Sequence, residues 1–353
     1  MTSVLVVNAG SSSIKLALLG DESDEPLAEV ELEAPDSRVD TEGLDDALSG
    51  ELGDADIVAH RIVHGGSRFR EAVVIDDEVR AALHGLIRLA PLHQPKSLGT
   101  LAAVTRILPC VPAVACFDTA FHSTMPPAAT TFAVPGAWRE RGLRRYGFHG
   151  LSHAYIARHV ADTLGEGLRI VSCHLGSGAS LCAIADGRSV DTTMGFTPLD
   201  GLVMATRSGS VDPGALLWLL ERSGLREREV AHALECESGL YGLCGHSDMR
   251  AVLHARAGGD ERAELAIAVY IHRLRGAIAA MVATLGGCDV IAFTGGIGEH
   301  AREIRDETVA GLGFLIEPTV SRPATRILTI HAREDLEMAR QARDCCGCAP
   351  LSH

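Results

Sequence analysis

Hydrophobic and polar positions alternate in blocks from the start of the chain. Residues 4–20, "VLVVNAGSSSIKLALLG", give an apolar run, a short polar turn and a second apolar run. That order predicts two strands joined by a hairpin. It returns at residues 169–188, "RIVSCHLGSGASLCAIADGR". Adding 166 to the early numbers aligns Gly10 with Gly176, Ser11 with Ser177 and Leu18 with Ile184, and this offset is close to half of the 353 residues. Any two glycine-rich hairpins look alike, but the half-length spacing favours a duplicated domain. Each copy would open on a β-hairpin whose tight turn faces the other copy across a cleft. A third glycine turn lies in "VIAFTGGIGEH" (290–300), where an apolar strand runs into Gly295, Gly296 and Gly298, and "AREIRDETVAGL" after it reads as a helix. A strand, a glycine turn and a helix in that order suit a nucleotide lying against bare backbone, or equally close helix–sheet packing.

Length suggests two domains. With 46% apolar but only 4% aromatic residues, the cores must be built from Val, Leu, Ile and Ala. The net charge of -14 argues against a nucleic-acid or acidic-membrane surface, so an anionic ligand would need local positive charge. The first residues do not read as a signal peptide, and no uninterrupted apolar run approaches the roughly 20 residues of a membrane span. The ten cysteines lie mostly in apolar runs, as reduced cytosolic thiols do. The tail "DCCGCAPLSH" adds Cys345, Cys346, Cys348 and His353. Three thiols so crowded cannot easily reach one tetrahedral ion, which favours a frayed reduced tail over a metal site.

The turns carry the candidate chemistry. In "NAGSSSIK", small residues let backbone N–H groups and short hydroxyls approach a phosphate, and Lys15 adds charge. The spacing is not that of a Walker loop, and a strand follows rather than a helix. "VAHRIVHGGSRF" places Arg61 just after an apolar strand, with His64 before a Gly-Gly turn. "APLHQPKS" sets His93 between prolines, a rigid stretch not expected to be helical. "VACFDTAFHSTMP" puts Asp118 at a strand end, with His122 four residues on. "RRYGFHGLSH" carries His149 before the helix-like "AYIARHVADTL", and Arg207 lies in the small-residue loop of "MGFTPLDGLVMATRSGSVDPG". Singly each has a structural explanation. Together, two arginines, an aspartate, a histidine and a hydroxyl-rich turn fit phosphoryl transfer, which needs positioning and charge neutralisation more than covalent chemistry. Asp118 and the pair Glu334-Asp335 could supply oxygen ligands to Mg²⁺, although a carboxylate at a helix start is also a common structural feature.

These motifs strongly resemble the acetokinase family (the acetate kinases), within the sugar-kinase/Hsp70/actin-like superfamily. The resemblance runs from "VVNAGSSSIK" to "EDLEMAR" through "HRIVHGG", "APLHQP", "CFDTAFHSTMP", "RYGFHGLSH", "MGFTPLDGLVMATRSG", "SDMR" and "GGIGE". It implies an α/β fold of duplicated ribonuclease H-like (actin-like ATPase) domains with an interdomain cleft. The domains would span 1–147 and 148–335, with a C-terminal helix, 336–353, completing the first. It further implies closure on substrate, a cytoplasmic homodimer, and reversible transfer of the ATP γ-phosphoryl group to acetate. The products would be acetyl phosphate and ADP, with Mg²⁺, or alternatively Mn²⁺, as cofactor.

By motif, Asn8 and Glu334 correspond to the metal site, and Ser11, Ser13 and Lys15 to phosphate-side contacts. Arg61 corresponds to the acetate-binding arginine, Asp118 to the catalytic aspartate, and His149 and Arg207 to transition-state stabilisers. Val63, Leu92, Phe148 and Pro198 would form the pocket for the acetate methyl. Nucleotide contacts would come from His174, Leu175, Gly176, Ser177 and Gly178, from Asp248, Met249 and Arg250, and from Gly296, Ile297, Gly298, Glu299 and His300. Three positions depart from the family pattern: Ser177 and His300 each replace an Asn, and Ser210 stands where an acidic residue is usual. The loop after the first hairpin is also short. The catalytic charges are intact. Propionate, another phosphoryl donor, or a non-catalytic nucleotide-binding regulator are the alternatives. A hydrolase using Asp118 and His122 lacks the G-x-S-x-G nucleophile elbow.

Overall fold

A computed structural model describes residues 2–10, 13–21, 23–33, 41–91, 94–318 and 323–347. Ser11, Leu92, His93, Cys348 and His353 therefore lie outside the described residues. The chain divides into two compact units, one of residues 1–123, 150–155 and 333–353, the other of residues 124–149 and 156–332.

The first unit is built on a six-stranded sheet. Its strands are β1 (Val4–Ala9), β2 (Ser13–Leu19), β3 (Ala28–Glu33), β4 (Ile57–Ile62), β5 (Val73–Val74) and β6 (Ala113–Phe117), in the order β3-β2-β1-β4-β6-β5. Strands β1, β2 and β3 pair antiparallel, whereas β1–β4 and β4–β6 are parallel. The run Val4-Leu5-Val6-Val7 is apolar without interruption because both faces of β1 are covered. Leu5 and Val7 join a core with Leu44, Leu48, Ala103 and Val104. Val4 and Val6 point the other way, to Leu151, Met338, Ala339 and Ala342. The helix Glu334–Gly347 thus packs on the first sheet. Its last turns hold Cys345 and Cys346 against the core that contains Cys116, so these two thiols are not part of a frayed tail.

The second unit repeats the plan. Strands β7 (Ile170–Leu175), β8 (Ala179–Ala185), β9 (Arg188–Thr192), β10 (Val290–Thr294) and β11 (Arg326–Thr329) lie in the order β11-β10-β7-β8-β9. Again an antiparallel meander, β7-β8-β9, is followed by parallel strands. The bounds of β1 and β2 fall on those of β7 and β8 when moved by 166 residues: 4 to 170, 9 to 175, 13 to 179 and 19 to 185. The duplication legible in the hairpins therefore extends to sheet topology. The helix Glu261–Leu285 lies along β8 and β9. Asp260 caps it by accepting from the N–H groups of Arg262 and Ala263, and Gly286, at φ +65°, ends it in the left-handed conformation. By length and composition this helix could cross a membrane, but Ala266, Ile267, Tyr270, Leu274 and Ile278 are buried in the unit's own core. The glycine turn after β10 is one short helix, Gly295–His300.

Candidate active site

Parallel pairing of β1, β4 and β6 brings their carboxyl ends together, where ligands of open α/β sheets usually bind. Asn8 stands near the end of β1 and Asp118 directly follows β6. Arg61 lies inside β4 rather than after it. Asp118 N–H donates to the Ile62 carbonyl (3.1 Å), and the Asp118 carbonyl accepts from Gly150 N–H (2.8 Å). Glu334 opens the C-terminal helix, so its helix-terminus position and its place in the cluster coincide.

The four polar groups interlock. Arg61 Nη2 donates to Asp118 Oδ2 at 2.7 Å, and Arg61 Nε lies 3.1 Å from both Asp118 oxygens. Its Nη1 donates to Asn8 Oδ1 at 3.0 Å and stands 3.5 Å from Glu334 Oε2, to which Asn8 Nδ2 also donates (3.3 Å). The Asp118 side chain is only 3% exposed and that of Arg61 16%. Burial pushes the Asp118 carboxyl above its ordinary range against the pull of Arg61, with Glu334 adding to the rise. Burial works against the Arg61 charge too, but Asp118 and Glu334 outweigh it and raise the guanidinium further.

Asn8 and Glu334 supply oxygen donors of the kind Mg²⁺ takes. That ion is often held by one or two protein oxygens, with waters and substrate phosphates completing its shell. Among the described residues there is no group of three or more His, Cys, Asp or Glu side chains suited to a metal. Two oxygen donors of this kind leave a hard cation's other positions to waters and phosphate oxygens. Lys15 faces Asn8 across the β1–β2 ladder and Glu31 across β2–β3. Ser13 Oγ donates to Glu31 Oε1 (2.6 Å) and Lys15 Nζ lies 3.7 Å from Glu31 Oε2, so the two described members of the expected phosphate-side set of Ser11, Ser13 and Lys15 meet this carboxylate. His122, nearly fully buried, packs edge-on against His153.

In the second unit the segment carrying Phe148 and His149 is anchored by Tyr146 and Gly147 N–H groups on the Gly195 carbonyl. His149 adopts φ +57° and ψ 24°, a conformation rare for a side-chain-bearing residue and often found where function fixes the backbone. Its Nδ1 is 3.0 Å from Ser180 Oγ, and its ring lies 4.4 Å from that of His174. A Cβ placed on Gly178 would sit 3.2 Å from His149 Cε1 and Nε2 and 3.8 Å from Arg207 Nη1. The missing side chain thus leaves a small space bordered by an imidazole and a guanidinium. Arg207 Nη1 also donates to the Pro198 carbonyl (3.3 Å), and Arg207 Nε pairs with Glu235 at 3.5 Å. Burial lowers the Arg207 pKa, opposed by Glu235.

The hairpin turn and the post-β10 turn meet. A Cβ on Gly176 would lie 3.9 Å from Gly296 N, and one on Gly295, at φ +77°, would strike the Leu175 carbonyl at 2.8 Å. Ile297 and Gly298 share the short helix that follows, and Gly296 and His300 are exposed there. Glu299 points inward: Oε1 accepts from Gly295 and Ala332 N–H groups (2.9 Å each), and Oε2 meets His331 Nδ1 at 2.5 Å. Burial alone would raise this carboxyl, but these hydrogen bonds bring it below its ordinary range. Asp248 caps the helix Met249–Ala257 and grips its own Arg250 at 2.7 Å, while Met249 is buried. The Ser177 carbonyl accepts from Ala205 N–H. Ser210, the departure from an acidic residue, donates to Asp200 Oδ1 at 2.6 Å and accepts from Gly201 N–H. Val63 follows β4 in the first unit, whereas Phe148 and Pro198 belong to the second. Sequence reasoning missed Ser180, Glu235 and the inward role of Glu299.

Residues 38–320 match the model of the acetokinase family. An acetate kinase of Nostoc punctiforme is 46% identical over 308 residues, covering 82% of this chain and 76% of that protein. The crystal structure of an acetate kinase from Porphyromonas gingivalis superposes with a TM-score of 0.88 at 32% identity, covering 98% of this chain and 100% of the other. That of a propionate kinase from Francisella tularensis gives 0.89 at 34% identity, with the same coverage.

Proposed function

Because the chain belongs to the acetokinase family, we propose that it is an acetate kinase, transferring the ATP γ-phosphoryl group reversibly to acetate. The observation that carries this reading is the Asn8–Arg61–Asp118–Glu334 cluster, which sets a guanidinium suited to a carboxylate beside a buried carboxylate and oxygen donors suited to a hard cation. An acetate oxygen attacks the γ-phosphorus, the bond to the β–γ bridging oxygen breaks, and ADP leaves with that oxygen. In the first unit Arg61 binds the acetate carboxylate, which shares a guanidinium whose Nε and Nη2 contact Asp118 and whose Nη1 contacts Asn8. Asp118 fixes the guanidinium plane. In the second unit Arg207 and the Nε2 edge of His149, both bordering Gly178, stabilise charge on the phosphoryl oxygens. Asn8 and Glu334 hold Mg²⁺, which when bound neutralises phosphate charge. The glycine turn at Gly296, exposed and with nothing within 4 Å of an added Cβ, leaves backbone open to the nucleotide. A cytoplasmic homodimer is the assembly we assign, by family likeness.

The test is ATP formation from acetyl phosphate and ADP with Mg²⁺, beside an Arg207→Ala control. Arginine-dependent turnover is expected; folded protein that binds nucleotide without turnover would overturn the reading. The likeness to the propionate kinase favours propionate as a second substrate. One methylene in an apolar pocket changes binding by only about 1–3 kcal/mol. Comparison of kcat/KM for the two acids decides the preference.

A further inference from the structure

His149 is placed by more than its backbone. In the β7–β8 ladder His174 and Ser180 are directly opposed, so their side chains emerge on the same face of the hairpin. Both reach His149: the His174 ring lies 4.4 Å away at a 34° tilt, and Ser180 Oγ is 3.0 Å from Nδ1. Ser180 has no exposed surface. The opposite edge of the imidazole, Cε1 and Nε2, is turned to the space left by the missing Gly178 side chain, which Arg207 Nη1 also borders.

A space bordered by a guanidinium N–H suits an anion, and an imidazole facing it should present N–H rather than a lone pair. A neutral imidazole carries one N–H, and the hydrogen bond at one nitrogen decides which nitrogen bears it. We propose that Ser180 is a positioning residue: its hydroxyl donates to Nδ1 and so fixes His149 as the Nε2–H tautomer aimed at the Gly178 space. The inference rests on the acetate kinase reading for the group that the His149 Nε2 edge and Arg207 stabilise, a phosphoryl group. The hydrogen bond itself is independent of that reading.

The test uses the full chain with Ser180→Ala, Ser180→Thr and Ser180→Cys, the last a weaker donor should the Thr methyl disturb folding. Side-chain ¹⁵N NMR of His149 should show an unprotonated, hydrogen-bonded Nδ1 and a protonated Nε2 in the natural protein, and mixed tautomers in Ser180→Ala. In the acetyl phosphate plus ADP assay, Ser180→Ala should lower kcat about 10–100-fold, the size seen when groups that orient an imidazole are lost. KM for ADP should stay within about twofold, and a hydroxyl-bearing Thr should recover most of kcat. The double variant His149→Ala/Ser180→Ala should be no slower than His149→Ala, because Ser180 acts through the ring. A protonated Nδ1, unchanged His149 signals in Ser180→Ala, or additive losses in the double variant would overturn the proposal. Absence of turnover in the natural protein would instead refute the acetate kinase reading, and the NMR result would still decide the tautomer.

Discussion

Gly178 offers a graded test of how tightly the second unit holds His149. Its φ is not in the left-handed region, so alanine is acceptable to the backbone, and the consequence of Gly178→Ala is steric. The added Cβ would stand 3.2 Å from His149 Cε1 and Nε2, closer than ordinary contact by a few tenths of an ångström. The ring cannot easily retreat, because Ser180 holds Nδ1 at 3.0 Å and His174 lies 4.4 Å away. Misplacement of a reacting group by about 1 Å costs on the order of 100-fold in rate. A shift of a few tenths should therefore cost roughly tenfold in kcat, equivalent to about 1.4 kcal/mol of barrier.

Two companions bracket the effect. Gly276→Ala, mid-helix with nothing within 4 Å of its Cβ, should stabilise the fold by about 0.5–1 kcal/mol and leave kcat alone. Gly150→Ala would drive a Cβ to 2.2 Å from the Asp118 carbonyl oxygen, which accepts the Gly150 N–H. It should lower both stability, by about 1–3 kcal/mol, and kcat. The measurements are steady-state ATP formation and thermal denaturation of each variant. Full kcat in Gly178→Ala, or a loss that merely tracks a lower Tm, would refute the argument that the His149 position limits turnover.

Acid should weaken the fold through two buried imidazoles. Burial takes the pKa of His60 down to about 3, aided by the Arg80 charge, and that of His64 down to about 4, from the ordinary imidazole value of 6.5. Both stay neutral in the fold while the unfolded chain protonates, so their stabilisation is complete above pH 6.5 and falls as pH drops toward 4. Each should cost about 2 kcal/mol between pH 7 and pH 5. Urea denaturation at the two pH values checks this, and His60→Leu should remove its share of the slope. Arg61→Ala strands the buried Asp118 carboxylate and should destabilise by about 3–5 kcal/mol, partly recovered in Arg61→Ala/Asp118→Ala. An Arg61→Ala variant as stable as the natural protein in urea would contradict the pairing. Chelation of divalent metal should abolish turnover, and Glu334→Gln should raise the Mg²⁺ needed for half-maximal rate by about tenfold. A Mg²⁺ titration reads both.

What the sequence made legible, and what it did not, divides along covalent distance. The hairpins at residues 4–20 and 169–188 declared themselves because strand, turn and strand are local, and their common offset reached the strand bounds of the structure without adjustment. Arg61 and Asp118 stood out because each is a charge at the edge of an apolar run, and parallel pairing of β4 with β6, which sets Arg61 opposite Cys116, two residues before Asp118, brings them within reach of each other. Lys15 was legible as a charge but not in its partner. Glu31 lies across the β2–β3 ladder, and only the register puts the two opposite each other. Glu299 looked like part of a nucleotide turn, yet its carboxylate turns inward to Ala332, a residue that β10–β11 pairing carries to it. Ser180 is the extreme case. In "GSGASLCAIA" it is one small residue among several. Its importance comes from standing opposite His174 in the ladder and 3.0 Å from a histidine 31 positions earlier. Motif reading finds groups that react, since their chemistry is unusual where they lie. Groups that aim them are ordinary residues made significant by register, and a strand slipped by one residue would turn the Ser180 side chain to the other face.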